Sequence, residues 1–130
     1  MKRALRAVPL FLLALSAACA ETPVVCPLTV DPSFAVSASL QVAVVDSITG
    51  QSVVPGARGR WITGTETDSL RHGGNVLFGY GPAGRYAVAV EAPGYRPWAR
   101  SDVRVRAGEC GPVLEELTAR LQPEVHPPAN

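Results

Sequence analysis

Histidine is nearly absent from this chain of 130 residues: His72 and His126 are the two it has. Neither stands in an H-x-x-E or H-E-x-x-H spacing, so the paired imidazoles that a zinc hydrolase needs on one helix face are missing. No G-x-S-x-G occurs, and Ser47, Ser52, Ser69 and Ser101 have no base signal beside them, which removes the serine-hydrolase pattern. A surplus of positive charge is missing too. Twelve basic residues face eleven acidic ones. Removal of a leader carrying Lys2, Arg3 and Arg6 leaves nine bases against those eleven acids, a charge near −2. That is not a nucleic-acid-binding profile. Every basic residue left is arginine, which we read as genomic bias. After the first twenty residues no apolar run is long enough to cross a bilayer as a helix.

What the chain does have begins with an export signal over residues 1–20. Lys2, Arg3 and Arg6 form its positive start, Ala7 to Leu15 its apolar core, and Ser16, Ala17 and Ala18 its small-residue end. Two cleavage readings stay open. Ser16-Ala17-Ala18-Cys19 resembles a bacterial lipobox, in which Cys19 is lipidated and becomes the mature N-terminus. It departs from that pattern in having Leu15 four rather than three places before the cysteine. Ala18-Cys19-Ala20 alternatively fits an ordinary signal peptidase, cutting before Glu21. Because Cys19 stands where the apolar region ends, lipidation is the expectation. It makes the membrane a partner through Cys19 and places the protein in the cell envelope, as an outer-membrane lipoprotein facing periplasm or surface.

Either cleavage leaves Cys26 and Cys110 as a pair, and an oxidising compartment makes them a disulfide. Closing a loop of 110 − 26 = 84 residues stabilises a fold by about 4–5 kcal/mol on the chain-entropy account. For a mature chain of about 110 residues, with a modest core, that matters.

Residues 21–35, with Pro23, Pro27 and Pro32, read as a spacer. Period-two alternation then marks strands. Val36 to Asp46 sets Ala38, Leu40, Val42 and Val44 on one face. Asp46 to Gly50 is a turn whose aspartate accepts backbone hydrogen bonds and whose glycine takes the left-handed conformation. Ala57 to Thr65 follows, with Ala57, Gly59, Trp61 and Thr63 inward and Arg58, Arg60 and Ile62 outward in the preferred register. Asp68 to Gly74 reads as a polar loop, and Asn75 to Tyr80 as a short strand with Val76 and Phe78 on one face. Gly84 to Glu91 alternates Tyr86, Val88 and Val90 against Arg85, Ala87 and Ala89. Pro93-Gly94 turns the chain into a return arm that ends at Val103-Arg-Val-Arg106. Val113 to Gln122 carries two conflicting patterns. Val113, Leu114, Leu117 and Leu121 have helical spacing, while Leu117, Ala119 and Leu121 also alternate as a strand. The need of the other strands for a final partner favours strand. Residues 123–130 read as a disordered tail.

Short strands separated by Gly/Pro turns argue for an all-β fold, an immunoglobulin-like antiparallel β-sandwich over residues 36–122. The succession Val42-Ala-Val-Val-Asp46, Thr49-Gly50, Pro55-Gly56-Ala57, Gly84-Arg-Tyr-Ala-Val-Ala-Val, Ala92-Pro-Gly-Tyr95 and Val103-Arg-Val resembles the carboxypeptidase regulatory-like domain. That resemblance implies a prealbumin-like (transthyretin-like) sandwich of seven strands that is not an enzyme, so no catalytic residues are transferred. Hydroxyisourate hydrolase, an enzyme on the related transthyretin fold, ends in Tyr-Arg-Gly-Ser; this chain ends Val-His-Pro-Pro-Ala-Asn.

Gly79-Tyr-Gly81-Pro-Ala-Gly84 satisfies G-x-G-x-x-G, but a strand follows where a phosphate site needs a helix N-terminus, and Pro82 removes a donor. No cofactor is therefore expected. One stretch is a candidate binding surface. In an unbroken strand Arg96, Trp98, Arg100, Arg104 and Arg106 would share a face at about 6.6 Å intervals. Guanidinium and indole groups there suit an envelope polysaccharide, a polyanion or an envelope protein. The competing reading is a solvated face whose arginines pair weakly with Glu91, Glu115 or Glu116. A break near Ser101-Asp102 would scramble the face.

Overall fold

The computed structural model describes residues 22–26 and 37–125. The expected export signal with Cys19, most of the expected spacer and His126 lie outside the described residues. The described residues form ten strands: β1 (Leu40–Asp46), β2 (Arg58–Thr63), β3 (Glu66–Ser69), β4 (Arg71–Gly73), β5 (Val76–Gly79), β6 (Gly84–Glu91), β7 (Trp98–Val105), β8 (Ala107–Gly108), β9 (Gly111–Pro112) and β10 (Glu115–Leu121). No α-helix occurs among the described residues. One four-stranded sheet has the order β10-β1-β5-β4, the other β3-β2-β6-β7, and β8 and β9 form a separate ribbon.

Alternation explains which sheet face is buried. Leu40, Val42 and Val44 of β1 and Leu117, Ala119 and Leu121 of β10 point inward from the first sheet; Trp61, Tyr86, Val88 and Val90 meet them from the second. Burying one such leucine or valine contributes about 1.5–3 kcal/mol. The register of β2 is the preferred one: Trp61 is 3% exposed and Ile62 43%. Trp61 lies opposite Val88, an inward residue, and that pairing settles the competition between the two.

Several expectations change. The first strand starts at Leu40, later than expected, and the expected start at Val36 lies outside the described residues. In β5 the inward residue is Leu77, fully buried opposite Val42, so Val76 and Phe78 face outward. Asp68 to Gly74 is not a loop. β3 belongs to one sheet and β4 to the other, and the chain passes between them at buried Leu70. Two short, mostly exposed edge strands bury no alternating face, which is why composition suggested a loop. The sandwich therefore has eight strands in its two sheets rather than seven, and it is not wholly antiparallel. β1 and β10 run parallel, Leu40 opposite Glu115 and Asp46 opposite Leu121. β7 delivers the chain to the same end of the sandwich at which β1 begins, so both strands leave from that end.

The last strand is extended over Glu115–Leu121, with Val113 and Leu114 exposed before it. Pairing with β1 overrides the helical spacing. Beyond it, Pro123 bridges to Tyr95 and the Glu124 N–H donates to Gly94 O at 2.9 Å. The start of the expected disordered tail is thus tied down, and residues 126–130 lie outside the described residues.

Candidate functional site

At one end of the sandwich two turns meet. Asp46 Oδ1 accepts the N–H groups of Ile48 at 2.7 Å and Thr49 at 2.9 Å, and Gly50 takes φ +73°. In the other turn the Tyr95 N–H donates to Ala92 O at 3.1 Å and Gly94 has φ +81°, the type II geometry that Pro93-Gly94 predicts. Tyr95 Oη donates to Asp46 Oδ2 at 2.9 Å and joins them. The two backbone donors, then Tyr95, hold the Asp46 carboxyl below its ordinary range. The same bond, chiefly, pushes the Tyr95 phenol up. These are two views of one bond that needs Asp46 ionised and Tyr95 protonated.

A depressed carboxylate contributes stability above its ordinary range and loses it as pH falls through the lowered value. The raised phenol contributes stability below its unfolded value and loses it as pH rises through the folded one. Thermal melts of Tyr95→Phe should accordingly approach those of wild type at acid pH and fall below them at neutral pH. A difference that stays constant as Asp46 is protonated would show that the ring, not the bond, matters.

The disulfide marks the opposite end. Cys26 and Cys110 are bonded, their Cα atoms 5.3 Å apart. Cys110 lies between β8 and β9, beyond the end of β7.

The expected arginine strip does not share one face. Trp98 lies opposite Val90 and Arg100 opposite Val88, on the core side of the sheet, whereas Arg104 lies opposite Arg85 on the outer side. Two residues of β7, Ser101 and Asp102, separate Arg100 from Val103 while one of β6, Ala87, separates Val88 from Tyr86, and Asp102 takes φ +56°. This β-bulge switches the faces. Trp98 is half-buried against the core. Arg96 is exposed before β7, its N–H donating to Gln122 O at 2.8 Å, and Arg106 is exposed after it.

A different group of arginines comes together on the outer face of the second sheet. Arg58 and Arg60 project from β2, and Arg85 and Arg104 lie on the same face. Ser69, Arg60, Ala89 and Ala99 stand directly opposite one another across β3, β2, β6 and β7. That row crosses a depression of about 450 Å³, bordered by Pro97 and Trp98. A second depression, of about 750 Å³, continues it around the end of the sandwich, past Pro55, His72, Pro93, Tyr95 and Glu124. Arg58, Glu91 and Pro97 line both, so the two depressions adjoin, and together they make up a trench.

Among the described residues the one ion pair within 4.0 Å is Arg85–Asp102, both exposed. Arg58 and Glu91 are opposite each other without making one. His72 Nε2–H donates to Val54 O at 3.1 Å, and the Arg71 guanidinium lies 5.7 Å from the Tyr80 ring centre. No cluster of three metal-ligating side chains occurs among the described residues. Chemically the trench offers guanidinium donors at one part and carboxylate acceptors at another, on walls stiffened by proline.

Arg58 and Arg60 were visible as outward residues of β2, but their part in a site was not. The signal lay in alternate arginines on one strand beside a neighbour whose outward residues, Ala87 and Ala89, are small. Comparison with protein-family models and with curated proteins finds no match for this chain.

Proposed function

We propose that this protein is a lipid-anchored, non-catalytic module of the cell envelope, built on the prealbumin-like plan of the carboxypeptidase regulatory-like family and working by binding. The Cys26–Cys110 bond carries this reading, because it belongs to an oxidising compartment and so agrees with the export signal. Cys19 is 26 − 19 = 7 residues from the bonded Cys26, a reach of at most about 25 Å. The anchor would thus hold the disulfide end of the sandwich near the membrane and leave the trench at the outer end. The family resemblance gains support from the Tyr95–Asp46 bond, which joins its two most specific pieces, Asp-x-x-Thr-Gly and Ala-Pro-Gly-Tyr.

Intact mass of the membrane-extracted protein should show a diacylglyceryl group on Cys19. A soluble form beginning at Glu21 would end the anchor claim. Crosslinking in intact envelopes then identifies what the module touches. A second reading, a carbohydrate- or polyanion-binding module, is favoured by the arginines along the trench.

A further inference from the structure

We infer that the trench binds a linear glycan carrying carboxylate groups, seated across the strands of the second sheet with its acidic groups on Arg58 and Arg60. This deepens the binding-module reading and rests on it for where the ligand is met. Two adjoining open depressions favour an extended chain over a compact small molecule, which is held in a more enclosed and more apolar cavity.

The direction of the trench excludes the usual way of docking a peptide. A peptide strand adds to a free sheet edge and uses its unpaired N–H and C=O groups. Here the floor runs across four hydrogen-bonded strands, about 14 Å at the ordinary strand spacing, and the backbone groups of its middle strands, β2 and β6, are already paired with their neighbours. Its small residues, Ala89 and Ala99, provide no deep apolar pocket for the aromatic anchors of a protein interface.

Charge narrows the ligand further. Arg58 and Arg60 are exposed, alternate on one strand, and have no acidic partner within 4.0 Å among the described residues. Their planar forks suit carboxylates two bonds at a time. The trench also contains Glu91 and Glu124. An acidic chain without hydroxyl donors would be repelled there, whereas sugar hydroxyls donate to carboxylates. A glycan with both carboxylate and hydroxyl groups meets both requirements.

The test uses the detergent-extracted mature protein, disulfide intact, titrated calorimetrically at low salt with oligogalacturonate, with dextran oligomers of matched length and with poly-L-glutamate. Oligogalacturonate should bind and the other two should not. Arg58→Ala and Arg60→Ala should each weaken binding by about tenfold or more. Arg120→Ala, on the outer face of the other sheet, should leave it unchanged. Equal binding of poly-L-glutamate would point to an acidic protein and overturn the inference, as would equal binding of dextran. So would no binding at all, or binding indifferent to both arginines in variants that melt like wild type. None of these outcomes bears on the N-terminal mass, so the anchor and the ligand fail separately.

Discussion

With Cys26 and Cys110 both replaced by alanine, the domain is expected to lose about 4–5 kcal/mol of unfolding free energy. The bond closes an 84-residue separation that takes in both sheets, so its removal frees nearly the whole unfolded chain. Little native packing goes with it. Residues 22–25 are exposed, Cys110 is exposed, and β8 and β9 are two-residue strands at the periphery. The effect therefore acts through the unfolded state. Urea unfolding should show a lower midpoint for the double variant, together with a slope at least as steep, because an uncrosslinked chain exposes more surface. Wild type in reductant should superimpose on the variant. Against a total of about 5–15 kcal/mol for a native domain, such a loss leaves it marginal at best. A difference below about 1 kcal/mol would sink the loop-closure account and point to residual structure in the reduced, unfolded chain.

Strands that bury one face announced themselves, and the exposed edge strands β3 and β4 did not. β6 alternates over its full length because Tyr86, Val88 and Val90 all reach the core. β3 and β4 are polar and exposed, so the sign of their presence was one apolar residue, Leu70, between two turn-like stretches. Gly59 is part of the same corner: a Cβ there would lie 2.5 Å from Leu70 Cδ1. Such a contact depends on which chain segments meet, and local periodicity does not contain it. The parallel pairing of β1 with β10 is likewise a property of topology, set by which end of the sandwich each strand leaves from.

The site was harder to read for a related reason. Counting along β7 in steps of two places Arg100 and Arg104 on one face, and a single extra residue undoes the count. Asp102 at positive φ is the cause, and aspartate is among the few non-glycine residues that tolerate it. The polar Ser101-Asp102 pair inside an otherwise regular strand hinted at the break. Which arginines the fold would gather instead depended on β2 lying between β3 and β6, which no spacing within β2 reveals.

The glycines that imitate a nucleotide fingerprint have a packing role, and the second large effect is expected where they act. Trp61 lies between the sheets with its ring centre 5.1 Å from that of Tyr86. A Cβ on Gly79 would stand 3.1 Å from Trp61 Cδ1, and one on Gly81 would stand 2.7 Å from Trp61 Cη2 and 2.6 Å from Tyr86 Oη. Tyr86 Oη in turn donates to Pro82 O, which fixes the loop over the rings. Trp61→Ala should cost about 3–5 kcal/mol, since Gly79 is held in β5 opposite Leu40 and the loop at Gly81 is held through the Tyr86–Pro82 bond, so neither collapses into the space. Gly81→Ala should cost about 1–3 kcal/mol by the opposite mechanism, overpacking between two rings. Trp61 Nε1 is buried with no hydrogen-bond partner among the described residues, so Trp61→Phe removes an unpaired donor along with part of the ring. It should cost much less than Trp61→Ala. Chemical denaturation of the three variants with the disulfide intact ranks them. If Gly81→Ala proved as stable as wild type, the spacing of these glycines would owe nothing to the two rings beneath them.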